Sequence, residues 1–129
     1  MRILGIDFGL AKIGLAIAEE NLVQPLGVVR RSGKFLSKIV EICQKNRIEK
    51  IIVGLPEGKI EKKVKKFARE ISGVSNLPLE FQDETLTTHE AVAKMIEAGR
   101  TRQKRRELED AVAAACILQE YLEERRGSV

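Results

Sequence analysis

The stretch that decides the fold is Ile3-Leu4-Gly5-Ile6-Asp7-Phe8-Gly9, an apolar β-strand that ends in an acid and a glycine. A second apolar strand, Ile13-Gly14-Leu15-Ala16-Ile17-Ala18, follows after a short turn. Because strand side chains alternate between faces, Asp7 shares a face with Gly5 and Ile3. A carboxylate buried there is costly unless a cation, hydrogen bonds or protonation compensates. Asp7 is therefore the first candidate functional residue; the alternative is a turn residue that bonds its own backbone.

Length and composition bound the class of protein. The 129 residues fit one domain, 1–129, that can bury an ordinary apolar core without disulfide or metal staples. No apolar run is as long as a membrane span, and Met1 leads directly into a strand rather than a signal peptide. Cys43 and Cys116 match no metal or redox spacing, which suits packed thiols in a reducing compartment. We therefore expect a soluble cytoplasmic protein with no membrane partner.

Positive charge is concentrated in two segments of a chain whose formal net charge is +4. One segment runs from Lys59 to Arg69 and the other from Arg100 to Arg106. Such clusters suit a polyanion, although a charge run is more often a solvated face. The residues predicted to bind nucleic acid are Lys12, Lys59, Arg100, Arg102, Lys104, Arg105 and Arg106.

The remaining pattern predicts an α/β fold. Strands at 2–8, 13–18 and 23–30 are expected to form an antiparallel meander. Apolar runs then alternate with helical spacing, which implies parallel crossovers. The pattern predicts helices over 34–46, 59–72, 87–99 and 107–125, strands over 50–55 and 79–82, and a mobile loop over 99–106. The expected architecture is a five-stranded mixed sheet, a three-strand antiparallel meander plus two parallel strands, with helices on both faces.

Acids occupy the ends of several predicted strands. Asp7, Glu57 and the pair Asp83-Glu84 each follow an apolar run, and ligands of such sheets gather at the carboxyl ends of strands. On the last helix, Asp110 lies near the edge of the apolar arc, whereas Glu109 points to solvent. The alanine-rich stretch after Asp110 would let that helix approach the sheet closely. The alternative is that these helix acids only complement the macrodipole of the first turn.

If Asp7, Glu84 and Asp110 converge, the three carboxylates cannot all stay ionised without a cation. Hard oxygen ligands suit Mg²⁺ or Mn²⁺ and leave room for water and a phosphate. Two such ions can activate a water and stabilise the leaving oxygen in phosphodiester hydrolysis. The prediction is a hydrolase of the two-metal type, with Asp7, Glu84 and Asp110 as catalytic residues and metal ligands.

Other chemistry-bearing residues have simpler interpretations. Thr87 and Glu90 form a capping box, which predicts a helix start rather than a catalytic hydroxyl. His89, in the first turn of that helix, is expected to be exposed. The sequence contains neither a Ser-His-Asp or Cys-His arrangement nor a Walker-type phosphate loop.

Four blocks of the chain, taken together and in order, resemble the RuvX/YqgF family. The blocks are Gly5–Gly9 with Lys12–Ala16, Ile52–Pro56, Asp83–Thr88 with Ala91, and Asp110–Leu122. The resemblance implies an RNase H-like fold and makes Asp7, Glu84 and Asp110 the acidic catalytic positions. Members are described as Holliday junction resolvases or as nucleases that mature the 5′ end of pre-16S rRNA.

Three functions therefore stay open from the sequence. The first is a metal-dependent endonuclease acting on structured RNA, with pre-16S rRNA as the expected substrate, or on branched DNA as a Holliday junction resolvase. The second is a non-catalytic nucleic-acid-binding module on the same fold. The third, an actin-like nucleotide-binding domain, is disfavoured because such proteins close two domains around the nucleotide. The chain is expected to be a monomer or a homodimer, since a resolvase needs two symmetric active sites.

Overall fold

The structure is a computed structural model that describes residues 1–84 and 102–127, with the side chains of the last helix described from Glu109 to Arg125. The predicted helix over 87–99, with Thr87 and His89, lies outside the described residues. Arg100 lies outside them as well.

The described elements follow the predicted order. They are β1 (Arg2–Phe8), β2 (Lys12–Glu19), β3 (Leu22–Arg30), α1 (Phe35–Lys45), β4 (Lys50–Leu55), α2 (Glu61–Ser75), β5 (Leu79–Asp83) and α3 (Arg102–Gly127). None of the described helices is both long enough and apolar enough to cross a bilayer.

The five strands form one mixed sheet in the order β3-β2-β1-β4-β5. The pairs β1–β2 and β2–β3 are antiparallel, whereas β1–β4 and β4–β5 are parallel. This arrangement confirms the predicted meander with two added parallel strands. Because β1, β4 and β5 run in the same direction, their carboxyl ends meet at one edge of the sheet.

The two faces of the sheet carry separate apolar clusters. One cluster contains Leu4, Ile6 and Val53 of the sheet and is packed by the apolar stripes of α1 and α2. The other contains Ile3 and Ile52 and is packed by α3. Helices on both faces are therefore confirmed, and Asp7 lies on the α3 side by strand alternation.

The far end of α3 is fixed to β4 and β5 by a polar network. The ammonium of Lys50 donates a hydrogen bond to the hydroxyl of buried Tyr121 over 2.9 Å, and that hydroxyl donates to Glu80 over 2.7 Å. Arg125 donates to both carboxylate oxygens of Glu80, at 2.7 and 2.9 Å. These contacts lower the pKa of Glu80 and raise that of Lys50, each mainly through the hydrogen bond between the two.

Two helix boundaries differ from the prediction. The last helix begins at Arg102 rather than near residue 107, so residues 102–106 are helical and not part of a loop. The prediction depended on apolar residues, but arginine, lysine and glutamine are good helix formers and extend a helix that is docked further along. The second helix continues to Ser75, where Asn76 adopts φ 58° and its N–H closes the helix on the carbonyl of Ser72.

Candidate active site

Asp7 is a carboxyl group in an unfavourable place for a charge. It lies near the carboxyl end of β1, half-buried on the face covered by α3. Its pKa is raised from 3.8 to about 8, first by burial and then by the charge of Glu84 and a side-chain hydrogen bond with it. The charges of Asp110 and Glu109 act in the same direction. At neutral pH Asp7 therefore holds a proton that it donates to Glu84.

Glu84 reaches Asp7 because the neighbouring strand has no side chain in the way. It follows β5 directly, and its N–H donates to the carbonyl of Leu55 over 3.3 Å. A Cβ built at Gly54 would lie 2.7 Å from Oε1 of Glu84 and would overlap the side chain of Ile117. Gly54 thus makes room for the carboxylate beside the strand that separates β5 from β1.

Asp110 is brought to the same edge by a close approach between α3 and β2. In the β1–β2 register, Asp7 stands opposite Gly14. A Cβ built at Gly14 would overlap the backbone of Asp110, so only glycine lets the helix sit this close to the strand. Gly5 makes the equivalent contact further along, where a Cβ would overlap Leu118. The helix therefore carries the Asp110 carboxylate to within electrostatic range of Asp7.

The carboxylate oxygens at this edge are the type of ligand that a hard divalent cation prefers. Three carboxylates meet at one edge, and in the absence of a cation a shared proton reduces the repulsion between Asp7 and Glu84. Within residues 1–84 and the described part of α3, however, no group of three or more His, Cys, Asp or Glu side chains is arranged ready to hold a metal ion. The geometry is a hydrogen-bonded pair with a third acid nearby. Movement of the Asp110 carboxylate toward that pair would complete a three-carboxylate set.

Two contributors to this edge were not identified from the sequence. Glu109 is exposed, as predicted, yet its charge still raises the pKa of Asp7. Arg31, immediately after β3, donates to the carbonyl of Leu10 over 3.2 Å, and its guanidinium lies 4.9 Å from the ring centre of Phe8. The only sequence signal for Arg31 was its place at the end of the third strand.

The predicted nucleic-acid contacts are distributed around the same edge where the structure describes them. Lys12 begins β2 and shares a face with Gly14, and Lys59 lies exposed in the turn between β4 and α2. Four others belong to the first turns of α3, where the structure describes the backbone only: Arg102, Lys104, Arg105 and Arg106. Their role in binding remains a prediction, as does that of Arg100.

Comparison with known proteins identifies relatives along nearly the full length of the chain. A protein of Clostridium kluyveri named "Putative pre-16S rRNA nuclease" is 38% identical over 133 residues, which cover 95% of this chain and 97% of that protein. A protein of Caldanaerobacter subterraneus with the same name is 37% identical and covers 99% of this chain and 100% of that protein.

Solved structures show the same fold at lower identity. RuvC of Thermus thermophilus, in complex with a Holliday junction substrate, has a TM-score of 0.62 at 20% identity and covers 100% of this chain and 98% of its own. The fowlpox virus resolvase, in complex with Holliday junction DNA, has a TM-score of 0.64 at 14% identity and covers 97% of this chain and 99% of its own. The predicted RNase H-like fold is therefore confirmed. The family model RuvX, described as Holliday junction resolvase, matches residues 1–124, and the chain belongs to this family.

Proposed function

We propose that this chain is a metal-dependent endonuclease that hydrolyses phosphodiester bonds, with Asp7, Glu84 and Asp110 as its catalytic carboxylates. The observation that carries the proposal is the Asp7 carboxyl, which lies on an apolar face yet is hydrogen-bonded to Glu84 and lies within electrostatic range of Asp110. A fold does not gather like charges in a half-buried position for stability, because the repulsion and desolvation both oppose folding. Perturbed acids of this kind concentrate at functional sites.

Each acid has a distinct part in this proposal. Asp7 is fixed by the sheet, Glu84 is held by the backbone bond to β4, and Asp110 is carried by a helix. Once Asp7 is deprotonated, it and Glu84 present oxygens at one point of the edge, with Asp110 within electrostatic range. A bound Mg²⁺ or Mn²⁺ would supply a water of lowered pKa and would stabilise charge on the leaving oxygen. Lys12 and Lys59 at the same edge would hold flanking phosphates.

The substrate that we propose is the 5′ end of pre-16S rRNA. It is supported by relatives at 37–38% identity, whose names specify that RNA and whose length this chain matches almost completely. The basic residues at the edge and on α2 suit a structured RNA backbone.

A Holliday junction is the second candidate substrate, favoured by the description of the matching family model. Resolution of a four-way junction needs two symmetric sites and hence a dimer. Mass measurement by size-exclusion chromatography, with and without a synthetic junction, therefore distinguishes between the two candidate substrates. A monomer that cuts the rRNA precursor and leaves the junction intact would favour rRNA maturation.

The first prediction concerns Asp7→Asn, which keeps the shape of the side chain but removes the carboxylate. We expect cleavage of a pre-16S rRNA fragment in Mn²⁺ or Mg²⁺ to fall by at least about a hundredfold, because the site loses one of its charged oxygens. The matched control is Asp83→Asn, an exposed acid one residue before Glu84, which should cleave like the parent chain.

Two outcomes would contradict this proposal. If the parent chain binds the rRNA precursor but cuts neither it nor a junction with either metal, the chain is a binding module. If Asp83→Asn loses as much activity as Asp7→Asn, general charge at the edge rather than the three named acids controls the reaction.

A further inference from the structure

A groove of about 500 Å³ lies between α2 and β5, on the face of the sheet opposite the acids. Its helical wall includes Lys65, Arg69 and Gly73, and its strand wall is formed by Leu79 and Phe81. By strand alternation Phe81 points to this side, whereas Gln82 and Glu84 point to the α3 side. This volume is within the range of pockets that take small ligands.

Phe81 is an unusual residue for this position. It is 39% exposed although it lies within a strand, and β5 stands at one end of the described sheet. An aromatic ring that faces a groove at the end of a sheet is available for stacking. Bases of single-stranded nucleic acid stack on such rings whatever their sequence.

Gly73 keeps the opposite wall of the groove bare. It lies inside α2, where glycine is about 1 kcal/mol less favourable than alanine. A Cβ built at this position meets no atom of the described residues within 4 Å, so packing against that part of the chain does not require glycine. The missing side chain leaves open space beside Phe81.

The cations of the groove are available to a ligand. Lys65 pairs with Glu61 at 3.0 Å, but both side chains are 40% or more exposed and such a pair contributes little. Arg69 is exposed, and no carboxylate in the described part of the chain lies within ion-pair distance of it. Both residues lie on one helical stripe, above the strand wall.

We propose that this groove binds one unpaired nucleotide of the nucleic-acid substrate. The base stacks on Phe81, the sugar lies over the bare backbone at Gly73, and Lys65 and Arg69 hold the phosphate. The inference rests on the proposed function, to which it adds a subsite. Phe81 precedes Glu84 by three residues but points to the opposite face of the sheet, so the groove is a separate subsite and not a direct extension of the acidic edge. The chain would then hold an unpaired nucleotide of the substrate on the face of the sheet opposite the bond that it cuts.

An acidic peptide is the competing ligand. It would meet the same cations, but it has no flat ring to place on Phe81. The two ligands are distinguished by replacing the ring and by competition with a polyglutamate peptide. Loss of nucleic-acid binding only when the ring is lost would favour the nucleotide.

The test measures binding of a fluorescent single-stranded RNA octamer by anisotropy in EDTA, so that no cleavage is required. Phe81→Leu and Gly73→Leu should each weaken binding by about fivefold or more, through loss of the stack and filling of the groove. Phe81→Tyr keeps an aromatic ring and should bind the octamer like the parent chain. Arg69→Gln should weaken binding. It should also reduce by about one the slope of the logarithm of the binding constant against the logarithm of the salt concentration. The control is Lys38→Gln, which removes one positive charge from an exposed position of α1 and should leave the affinity for the octamer unchanged.

Folding is followed by thermal unfolding of each variant. Gly73→Leu is useful here because leucine favours a helix over glycine, so its melting temperature should not fall. The inference is overturned if Gly73→Leu and Phe81→Leu bind the octamer like the parent chain, or if the parent chain does not bind it. It is also overturned if polyglutamate displaces the labelled octamer as well as the unlabelled octamer does.

These outcomes are separate from those of the cleavage experiment. A parent chain that cuts rRNA while the groove variants bind and cut normally leaves the proposed function intact and removes the subsite. A parent chain that never cuts, but whose octamer binding depends on Phe81 and Gly73, keeps the subsite and removes the catalytic proposal.

Discussion

At the scale of single residues, the site depends on the environment of one acid. The pKa of Asp7 is raised to about 8 because burial and the acidic neighbours both oppose ionisation of its carboxyl group. Its position on an apolar face was predictable, since strand alternation alone shows which residues share that face. Its hydrogen bond with Glu84 was not, because nearly eighty residues separate the two and only the parallel pairing of β4 with both β1 and β5 brings them together.

The raised pKa of Asp7 predicts how stability varies with pH in metal-free buffer. Between about pH 4 and about pH 8 the unfolded chain has released a proton that the folded chain keeps. This residue therefore stabilises the fold most at the acidic end of the window and progressively less as the pH rises through it. Asp7→Asn removes the dependence, and the variant should exceed the parent chain in stability near pH 8 by on the order of a few kcal/mol.

Urea unfolding at several pH values in EDTA measures this effect. The informative quantity is the difference between Asp7→Asn and the parent chain, since other groups titrate in both. Asp83→Asn provides the comparison and should retain the slope of the parent chain. A difference that stays constant between pH 4 and pH 8 would show that Asp7 is ionised in the folded state throughout.

At the scale of elements, the approach of α3 to the sheet determines where the third acid lies. The alanine-rich sequence after Asp110 predicted a close approach, and the buried Ala111 and Ala114 agree with it. The start of the helix could not be predicted in the same way. Residues 102–106 are charged or polar and have no apolar stripe, so helical periodicity gives no signal there. Strand β4, a continuous apolar run covered on both faces, matched its predicted bounds of Lys50–Leu55.

Gly14→Ala tests this approach. The added Cβ would overlap the backbone of Asp110, which cannot move without shifting the helix. We expect a loss of about 1–3 kcal/mol or more in the free energy of unfolding, the usual cost of overpacking, together with loss of cleavage. Gly27→Ala is the matched control, because a Cβ in that part of β3 meets nothing within 4 Å. Equal unfolding midpoints for the two variants would contradict the close contact.

At the scale of the whole molecule, the site is shared between distant parts of the chain that the sheet order brings together. The alternation of strands and helices predicted an antiparallel meander with two added parallel strands, whereas the order of the five strands is known only from the structure. The groove beside Phe81 could not be predicted, since a bare helix position becomes a cavity only where a particular strand passes beneath it.

A bound divalent cation should stabilise the whole molecule. Binding to the folded chain alone raises the free energy of unfolding by about 2.7 kcal/mol when the free metal is at a hundred times its dissociation constant. We expect Mn²⁺ to raise the melting temperature of the parent chain and of Asp83→Asn, but to have little effect on Asp7→Asn. Differential scanning calorimetry with and without the metal measures the shift. An equal shift in all three proteins would place the cation elsewhere.

The overlap that a side chain at Gly14 would create has a consequence for the order of events during synthesis. The ribosome releases β1 first and α3 last, and Asp110 reaches Asp7 only after that late helix has docked on the sheet. A chain made beyond Glu84 but not yet as far as Asp110 would thus carry two of the three acids and lack the last. The proposed nuclease activity would therefore be acquired only after the helix that carries Asp110 has been made and has docked.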